Sequence, residues 1–254
     1  EAALLCLCSP ANPTGTMIDP DELRRITVAV AAENRRREAA GRRLLFLLYD
    51  QVYGSLVYAG THAHPVRLVP EAAPFTISLD GISKAFAATG LRVGWSLAAP
   101  AVTARMRDFL GHVGAWAPRP EQVATARFLR DPAAVEAFRR QMDAGVKARL
   151  EALFQGFTAM RQDGYPVDCV HPQGAIYLSL QLDLRGRRLA GVPITSNADI
   201  RALLLEQAGL AAVPFQAFGL PEDTGWFRLS AGAVSLEDIA AVFPRLRALL
   251  DRLT

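Results

Sequence analysis

The stretch Gly81-Ile82-Ser83-Lys84-Ala85-Phe86-Ala87-Ala88-Thr89-Gly90-Leu91-Arg92-Val93-Gly94 decides how the rest of the chain is read. It follows an apolar run, Phe75 to Leu79, and overlaps a second, Leu91 to Leu97, both read as strands. Lysine is rarely buried unless paired, yet Lys84 stands among small and apolar residues. Apolar surroundings disfavour an ammonium group and free the amine as a nucleophile. Small neighbours leave room for a bulky adduct, and Ser83 and Arg92 are donor types that suit a phosphate. A Gly/Ala-rich surface loop with an incidental lysine is the other reading of the same residues.

Outward from this segment the first half alternates strand and helix. Leu4 to Cys8 reads as a short buried strand, followed by the loop Ser9 to Gly15. Asp19 is an N-cap with Pro20 at the first helical position and Glu22 in the first turn. Leu23, Ile26 and Val30 form the stripe this helix buries. Leu44 to Leu48 is apolar on both faces, as expected of a central parallel strand covered by helices. The alternation predicts an open α/β sheet. A long helical stretch runs from the cap Asp131 and Pro132 to Gly164, either as one core helix, broken or not near Gly145, or as a helix bridging two domains. Beyond it, Val167 to Val170 and Ala175 to Leu182 read as paired strands around His171-Pro172-Gln173-Gly174. Asn197 starts a helix that Gly209 ends. Val213 to Phe215 and Trp226 to Ser230 are short strands, and Ser235 with Asp238 makes a capping box for the last helix. Two domains are expected, 1–145 and 146–254, the second a smaller α+β domain.

The composition excludes several classes. The chain has 254 residues, 51% hydrophobic and 21% charged, with a net charge of +3. Disorder needs low hydrophobicity and high net charge. Glycines and prolines lack the period of collagen or the sparseness of a coiled coil. No run approaches ~18 consecutive apolar residues, and the arginines are dispersed rather than striped, so neither a membrane nor a nucleic-acid partner is expected. Arg35 to Arg37 and Arg42-Arg43 read as a solvated helix end. Three cysteines make no disulfide framework. Cys6 and Cys8 share one face of a strand and read as buried and inert. No histidine stands at metal-ligand spacing from them, so no metal site is expected, and sparse cysteine suggests a reducing, cytoplasmic compartment. The chain opens on Glu1 and enters an apolar strand at once, which suggests that an N-terminal part lies outside it.

Three further sites fall in loops or strands that could flank a sheet crevice. Asn12-Pro13-Thr14-Gly15 is also readable as a plain turn. Asp50 ends the most hydrophobic strand, where a carboxylate is costly unless paired. It is either a helix or turn cap or the partner of a cationic ligand, and Tyr53, three residues on, is placed to present its phenol to the same pocket. Arg228 is central in an apolar strand between Phe227 and Leu229. It is a clamp for a carboxylate, or else a member of a structural salt bridge or a residue at an edge position.

Taken in order, the Gly81 to Gly94 segment, the Asn12 loop, the Asp50/Tyr53 pair and the Arg228 strand resemble the fold-type I pyridoxal-phosphate enzymes, specifically class I/II aminotransferases of the aspartate aminotransferase superfamily. The resemblance runs from the Asn12 loop to the last helix. It implies the fold-type I architecture, a mostly parallel large-domain sheet flanked by helices plus a smaller α+β domain. It implies pyridoxal 5′-phosphate as cofactor, attached by a Schiff base to the catalytic Lys84. Asp50 would pair with the pyridine nitrogen, Tyr53 and Asn12 with the ring hydroxyl oxygen, and Ser83 and Arg92 with the phosphate. Arg228, with Asn12, would hold the substrate α-carboxylate. Amino-acid and 2-oxo-acid substrates and a homodimer are implied with them. Relatives often carry Ser or Thr where this chain has Gly81, so a backbone amide or Ser78 is expected to substitute. The family's N-terminal part, which supplies a phosphate loop, a ring-stacking aromatic and a substrate arm, is absent here. A lyase or decarboxylase on the same scaffold, or the ligand-sensing domain of a transcriptional regulator, would use Asp50, Lys84 and Arg228 equally well.

Overall fold

The computed structural model describes residues 2–254. They fall into two compact units. The second comprises Asn12–Thr16 and Asp143–Thr254, and the first holds the other described residues up to Met142.

In the first unit, β1 (Leu4–Cys8) leads through α1 (Pro20–Ala39) to β2 (Phe46–Asp50). A short α2 (Pro65–Leu68), β3 (Thr76–Gly81), the single-turn α3 (Ile82–Ala85) and β4 (Gly94–Leu97) follow. The sheet order is β1-β2-β3-β4. The first three strands are parallel and β4 runs antiparallel to β3. The ladder sets Cys8 beside Asp50 and Asp50 beside Leu79. Asp19 caps α1 by accepting from Asp21 N at 2.8 Å. The buried stripe of α1 is Leu23, Thr27 and Val30, with Ile26 only half-buried. Thr27 can lie inside because its hydroxyl donates to Leu23 O at 2.6 Å. Val30 and Ala31 pack with Val69, Ala72 and Phe75 against Leu5 of β1.

Several strand-level expectations change. The face of β2 that carries Leu47 and Tyr49 is buried, whereas Phe46, Leu48 and Asp50 on the other face are half-exposed. The strand is therefore not closed on both sides among the described residues. Cys6 is exposed and Cys8 half-buried, so the two are not core cysteines, because their shared face of β1 is the open one. Arg37 is buried rather than solvated. It donates to Glu33 at 2.8 Å and to Ala2 O at 2.9 Å, while Arg35 and Arg36 stay exposed. The strand expected from Leu91 begins only at Gly94, since Thr89–Leu91 form a 3₁₀ turn and Arg92 is left-handed at φ 58°.

Two helices outside the sequence reading follow, α4 (Pro100–Val113) and α5 (Arg119–Phe128). Then α6 (Pro132–Gln162) runs unbroken past Gly145 and across the division at Met142. Its fully buried positions, Val146, Leu150, Leu153, Phe157 and Met160, all lie in the second unit. Upstream, Phe138 instead stacks with Phe86 and Phe128.

The second unit continues with β5 (Val167–Cys169), β6 (Tyr177–Leu182), and the two-residue strands β7 (Arg188–Leu189) and β8 (Val192–Pro193). It ends with α7 (Asn197–Ala208), β9 (Val213–Pro214), β10 (Trp226–Ser230) and α8 (Leu236–Leu250). The antiparallel order β5-β6-β10-β9 puts Arg228 beside Ser179 on one side and Val213 on the other. Ser196 caps α7 and Ser235 caps α8, each in a capping box. The segment Asn12–Thr16 is stitched to β6. Gly15 O accepts from Gln173 N and Gly174 N at 2.8 and 3.0 Å, and Ser179 Oγ donates to Thr14 O at 3.0 Å.

Gly15 carries this stitching for two reasons. Its φ of +70° is left-handed, and a Cβ there would run into the carbonyl of Tyr177. Gly15→Ala is expected to cost roughly 2–4 kcal/mol from left-handed strain plus overpacking. Thermal or urea unfolding of the variant measures it, and a loss below about 0.5 kcal/mol, the size of an ordinary surface substitution, would contradict the assignment.

Candidate active site

Parallel strands deliver their following residues to one end of a sheet, which is where open α/β sheets bind ligands. In the first unit these are the residues after Cys8, after Asp50 and after Gly81. Asp50 closes β2, and its Oδ1 accepts from Val52 N at 3.0 Å, a local turn bond. Its Oδ2 has no partner among the described residues. Tyr53 follows in that turn and is buried, 3% exposed. Lys84 sits in α3 directly after β3. It is half-buried rather than enclosed, and makes no hydrogen bond or ion pair among the described residues. Ser83 is half-buried beside it, and its carbonyl accepts from Thr89 Oγ1 at 3.0 Å. Arg92 is exposed and donates to Thr89 O at 2.9 Å. A left-handed backbone at a non-glycine costs energy and often marks a functional turn. Gly81 lets the chain double back, since a Cβ there would meet Gly94 Cα and Val93 O at 3.0 Å.

The covered face of the same sheet holds a polar cluster. Tyr49 donates to Ala63 O at 2.8 Å and lies 3.3 Å from His62 Nε2. His62 Nε2 also contacts Ser9 O at 3.1 Å. His64 lies 2.7 Å from Ser78 Oγ through Nε2, and its Nδ1 accepts from Val66 N at 3.2 Å. Asp80 accepts from Gly81 N at 2.7 Å and from Gln51 Nε2 at 3.3 Å. Burial pushes the Tyr49 phenol up to about 12 and raises the Asp80 carboxyl above the usual carboxylate range. The same desolvation lowers both histidines. Ser78 is thus buried and engaged with His64, and does not stand in for the hydroxyl missing at Gly81. The Gly81 amide is itself taken up by Asp80.

In the second unit the structure joins Asn12 and Arg228. Arg228 Nη1 donates to Asn12 Oδ1 at 2.8 Å. The guanidinium carbon lies over the ring of Tyr177 at 4.5 Å and over that of Phe218 at 4.8 Å. Among the described residues Arg228 has no ion pair, and its Nε is buried without a hydrogen bond. The salt-bridge reading of Arg228 therefore fails. Asn12, expected to serve both cofactor and substrate, is committed here to the arginine. Sequence reasoning missed Tyr177, Phe218 and Asp80, because an aromatic in a strand or a carboxylate at a strand end looks the same whether it is core, surface or site. Among the described residues no group of three or more His, Cys, Asp or Glu could hold a metal ion. No described helix is long and apolar enough to cross a membrane.

The chain is similar to known proteins along nearly its whole length. A family model, Aminotransferase class I and II, matches residues 1–246. An aspartate aminotransferase of Streptomyces avermitilis is 31% identical over 251 residues, 98% of this chain and 56% of that protein. An aspartate/prephenate aminotransferase of Thermus thermophilus is 29% identical over 251 residues, again 98% and 56% of the two. The crystal structure of the aspartate aminotransferase from Rhizobium meliloti superposes with a TM-score of 0.83 at 26% identity, covering 99% of this chain and 59% of that one. The chain spans little more than half the length of these relatives. Their names favour neither the lyase reading nor the ligand-sensor reading.

The polar cluster makes a pH prediction. In the fold, burial holds His62 and His64 below the ordinary histidine value, and in the unfolded chain they titrate near ~6.5. The unfolded state then binds more protons on acidification, so stability is complete above the unfolded value and falls as the pH drops through the folded values. Melting temperatures compared at about pH 7.5 and 5 should decline, and His62→Gln/His64→Gln should flatten that decline. An identical slope in the double variant would remove the histidines from the account.

Proposed function

The chain belongs to the class I and II aminotransferase family, and from that premise we propose that the whole protein is a pyridoxal 5′-phosphate-dependent transaminase that moves an amino group between an L-amino acid and a 2-oxo acid. The observation that carries the proposal is Lys84. It is one of only two lysines in the chain, half-buried and without a hydrogen bond or ion pair among the described residues. A lysine that serves structure normally has a carboxylate for its head group or an apolar surface for its stem.

The donor set fits the cofactor. Asp50 keeps one carboxylate oxygen without a partner, suited to holding the proton of a pyridinium nitrogen. Ser83 and Arg92 offer a hydroxyl and a guanidinium to a phosphate. By the family resemblance the Tyr53 phenol and the Asn12 amide nitrogen, whose oxygen Arg228 holds, would serve the ring hydroxyl oxygen. When bound, the cofactor supplies an electron sink for the electron pair left at the α-carbon. Lys84 Nζ, as a free amine, takes the α-proton and returns it, and tethering it in the site replaces an encounter with a general base from solution. Arg228 orients the α-carboxylate through its fork, with Asn12 fixing Nη1. The net result exchanges the amino group and α-hydrogen of one amino acid for the keto oxygen of a 2-oxo acid, so that each becomes the other's class. By the family resemblance the protein would work as a homodimer. The half- to largely exposed apolar residues Phe109, Val113 and Trp116 support a partner surface on the first unit. A reducing, cytoplasmic setting is consistent with the three cysteines, which form no disulfide among the described residues.

Borohydride reduction of the full-length, cofactor-loaded protein should fix the phosphopyridoxyl group to the peptide that contains Lys84. Lys147, the other lysine, is exposed on α6. Labelling there instead would refute the assignment, and the readout does not depend on turnover.

Arg228→Lys keeps the charge and loses the fork. Losing one charge-assisted hydrogen bond should raise KM for amino acid and 2-oxo acid together by about tenfold to a hundredfold. The cofactor absorbance should hold, and the melting temperature should change little, since no internal acid is left unpaired. Unchanged KM with a large drop in melting temperature would sink the clamp.

A further inference from the structure

Arg228 is surrounded in a way that a simple ion-binding arginine does not require. Its strand neighbours are apolar, Phe227 and Leu229 being buried, and among the described residues no acid answers its charge. Two ring faces and one amide do so instead. The guanidinium carbon lies 4.5 Å from the Tyr177 ring centre and 4.8 Å from that of Phe218, well inside the ~6 Å range of a cation–π contact. Nε is buried and Nη1 is spoken for by Asn12. What remains accessible to an incoming carboxylate is the tip of the fork, the second Nη1 proton and Nη2.

From this geometry we infer that Tyr177 and Phe218 are positioning residues for substrate carboxylates, holding the Arg228 head group so that only the tip of its fork is presented. The inference rests on the reading of Arg228 as the carboxylate clamp. Phe218 is itself held firmly. It ends the 3₁₀ turn Phe215–Phe218, and Phe215 lies against it at 6.2 Å and against Trp226 at 6.2 Å. Within the same turn, Gln216 accepts from Asn197 Nδ2 at 2.9 Å and donates to Asp223 Oδ1 at 2.8 Å. Asn197, 1% exposed, closes the loop by accepting from Gly225 N at 3.0 Å. A part-buried side-chain network of this kind, anchored on the buried Asn197, favours one loop geometry. Tyr177 is fixed as the first residue of β6, paired with Ser230. An arginine with its usual rotamer freedom would lose entropy on gripping a carboxylate, and ring faces that confine it beforehand remove part of that loss.

The test uses the full-length, cofactor-loaded enzyme. Phe218→Leu removes one ring face and keeps an apolar side chain. KM for amino acid and 2-oxo acid should rise together by roughly fivefold, the size of one cation–π contact, with kcat at saturation within about twofold. Phe218→Tyr should restore KM because it restores the ring, and dissociation constants for the 2-oxo acid, read from the cofactor spectrum, should follow KM. Tyr177→Leu should act like Phe218→Leu and Tyr177→Phe should not. If Phe218→Leu does not fold, Phe218→Met, closer to the original volume, gives the same reading. Unchanged KM in the leucine variants alongside a raised KM in Arg228→Lys would overturn the positioning role and leave the clamp standing. Unchanged KM in Arg228→Lys would overturn the clamp itself. A raised KM that the tyrosine variant fails to restore would assign Phe218 to packing alone.

Discussion

Three strands that share a direction must also share an end, and the candidate cofactor residues depend on that constraint. The ladder places Cys8, Asp50 and Leu79 side by side, so the chain leaves all three strands at the same edge of the sheet. There the backbone amides and carbonyls of the ladder run out, and the following turns must satisfy their own polar groups. Asp50 does so through Val52 N, and Ser9 N does so through Asp50 O at 3.1 Å. The strand after Gly81 is antiparallel, which brings the chain straight back and leaves α3 as a single turn. A turn that short cannot bury a lysine stem along a helix face, and Lys84 is accordingly half-buried.

The two faces of this sheet do different work. The covered face pairs Tyr49 with Ser78 in register and spends its polar groups internally, on His62, His64 and backbone carbonyls. The open face carries Cys6, Leu48 and Asp50. Strand alternation alone separates a carboxylate that can meet a ligand from a hydroxyl that cannot. It is why Ser78, six residues before Lys84, is engaged by His64 on the covered face, while one Asp50 carboxylate oxygen on the open face keeps no partner among the described residues.

Much of this was legible in the sequence, and the exceptions have physical causes. Caps were readable because their chemistry is local: Asp19, Asp131, Ser235 and the glycine at 164 stand where the residue types placed them. The residues Asp50, Lys84 and Arg228 stood out because each is a charge where the surrounding pattern is apolar. The helices Pro100–Val113 and Arg119–Phe128 were not legible, since a helix is read by its buried stripe and these bury no residue and one residue respectively. Leu91 to Val93 looked like strand because apolar content was visible and the left-handed turn at Arg92 was not. Arg37 looked solvated within an arginine run, but its partners, Glu33 and the carbonyls of Ala2 and Arg43, are set by tertiary packing. The rings around Arg228 come from positions 177 and 218 and could be assembled only by the fold.

Arg228 joins these threads, because its surroundings say which cation the strand can tolerate. A charge in an apolar strand needs compensation from neighbouring groups. An internal carboxylate would compensate it fully and would also occupy the fork. Ring faces attract the cation through their quadrupoles without accepting its in-plane protons, so they stabilise the charge and leave the donors unspent. The amide oxygen of Asn12 then accepts one N–H and biases the head group without neutralising it. Lysine could sit over a ring, but it is a strongly hydrated point charge and has no plane to fix. Two rings, one amide and, among the described residues, no acid confine the half-buried head group of Arg228 and leave the remaining donors of its fork unspent.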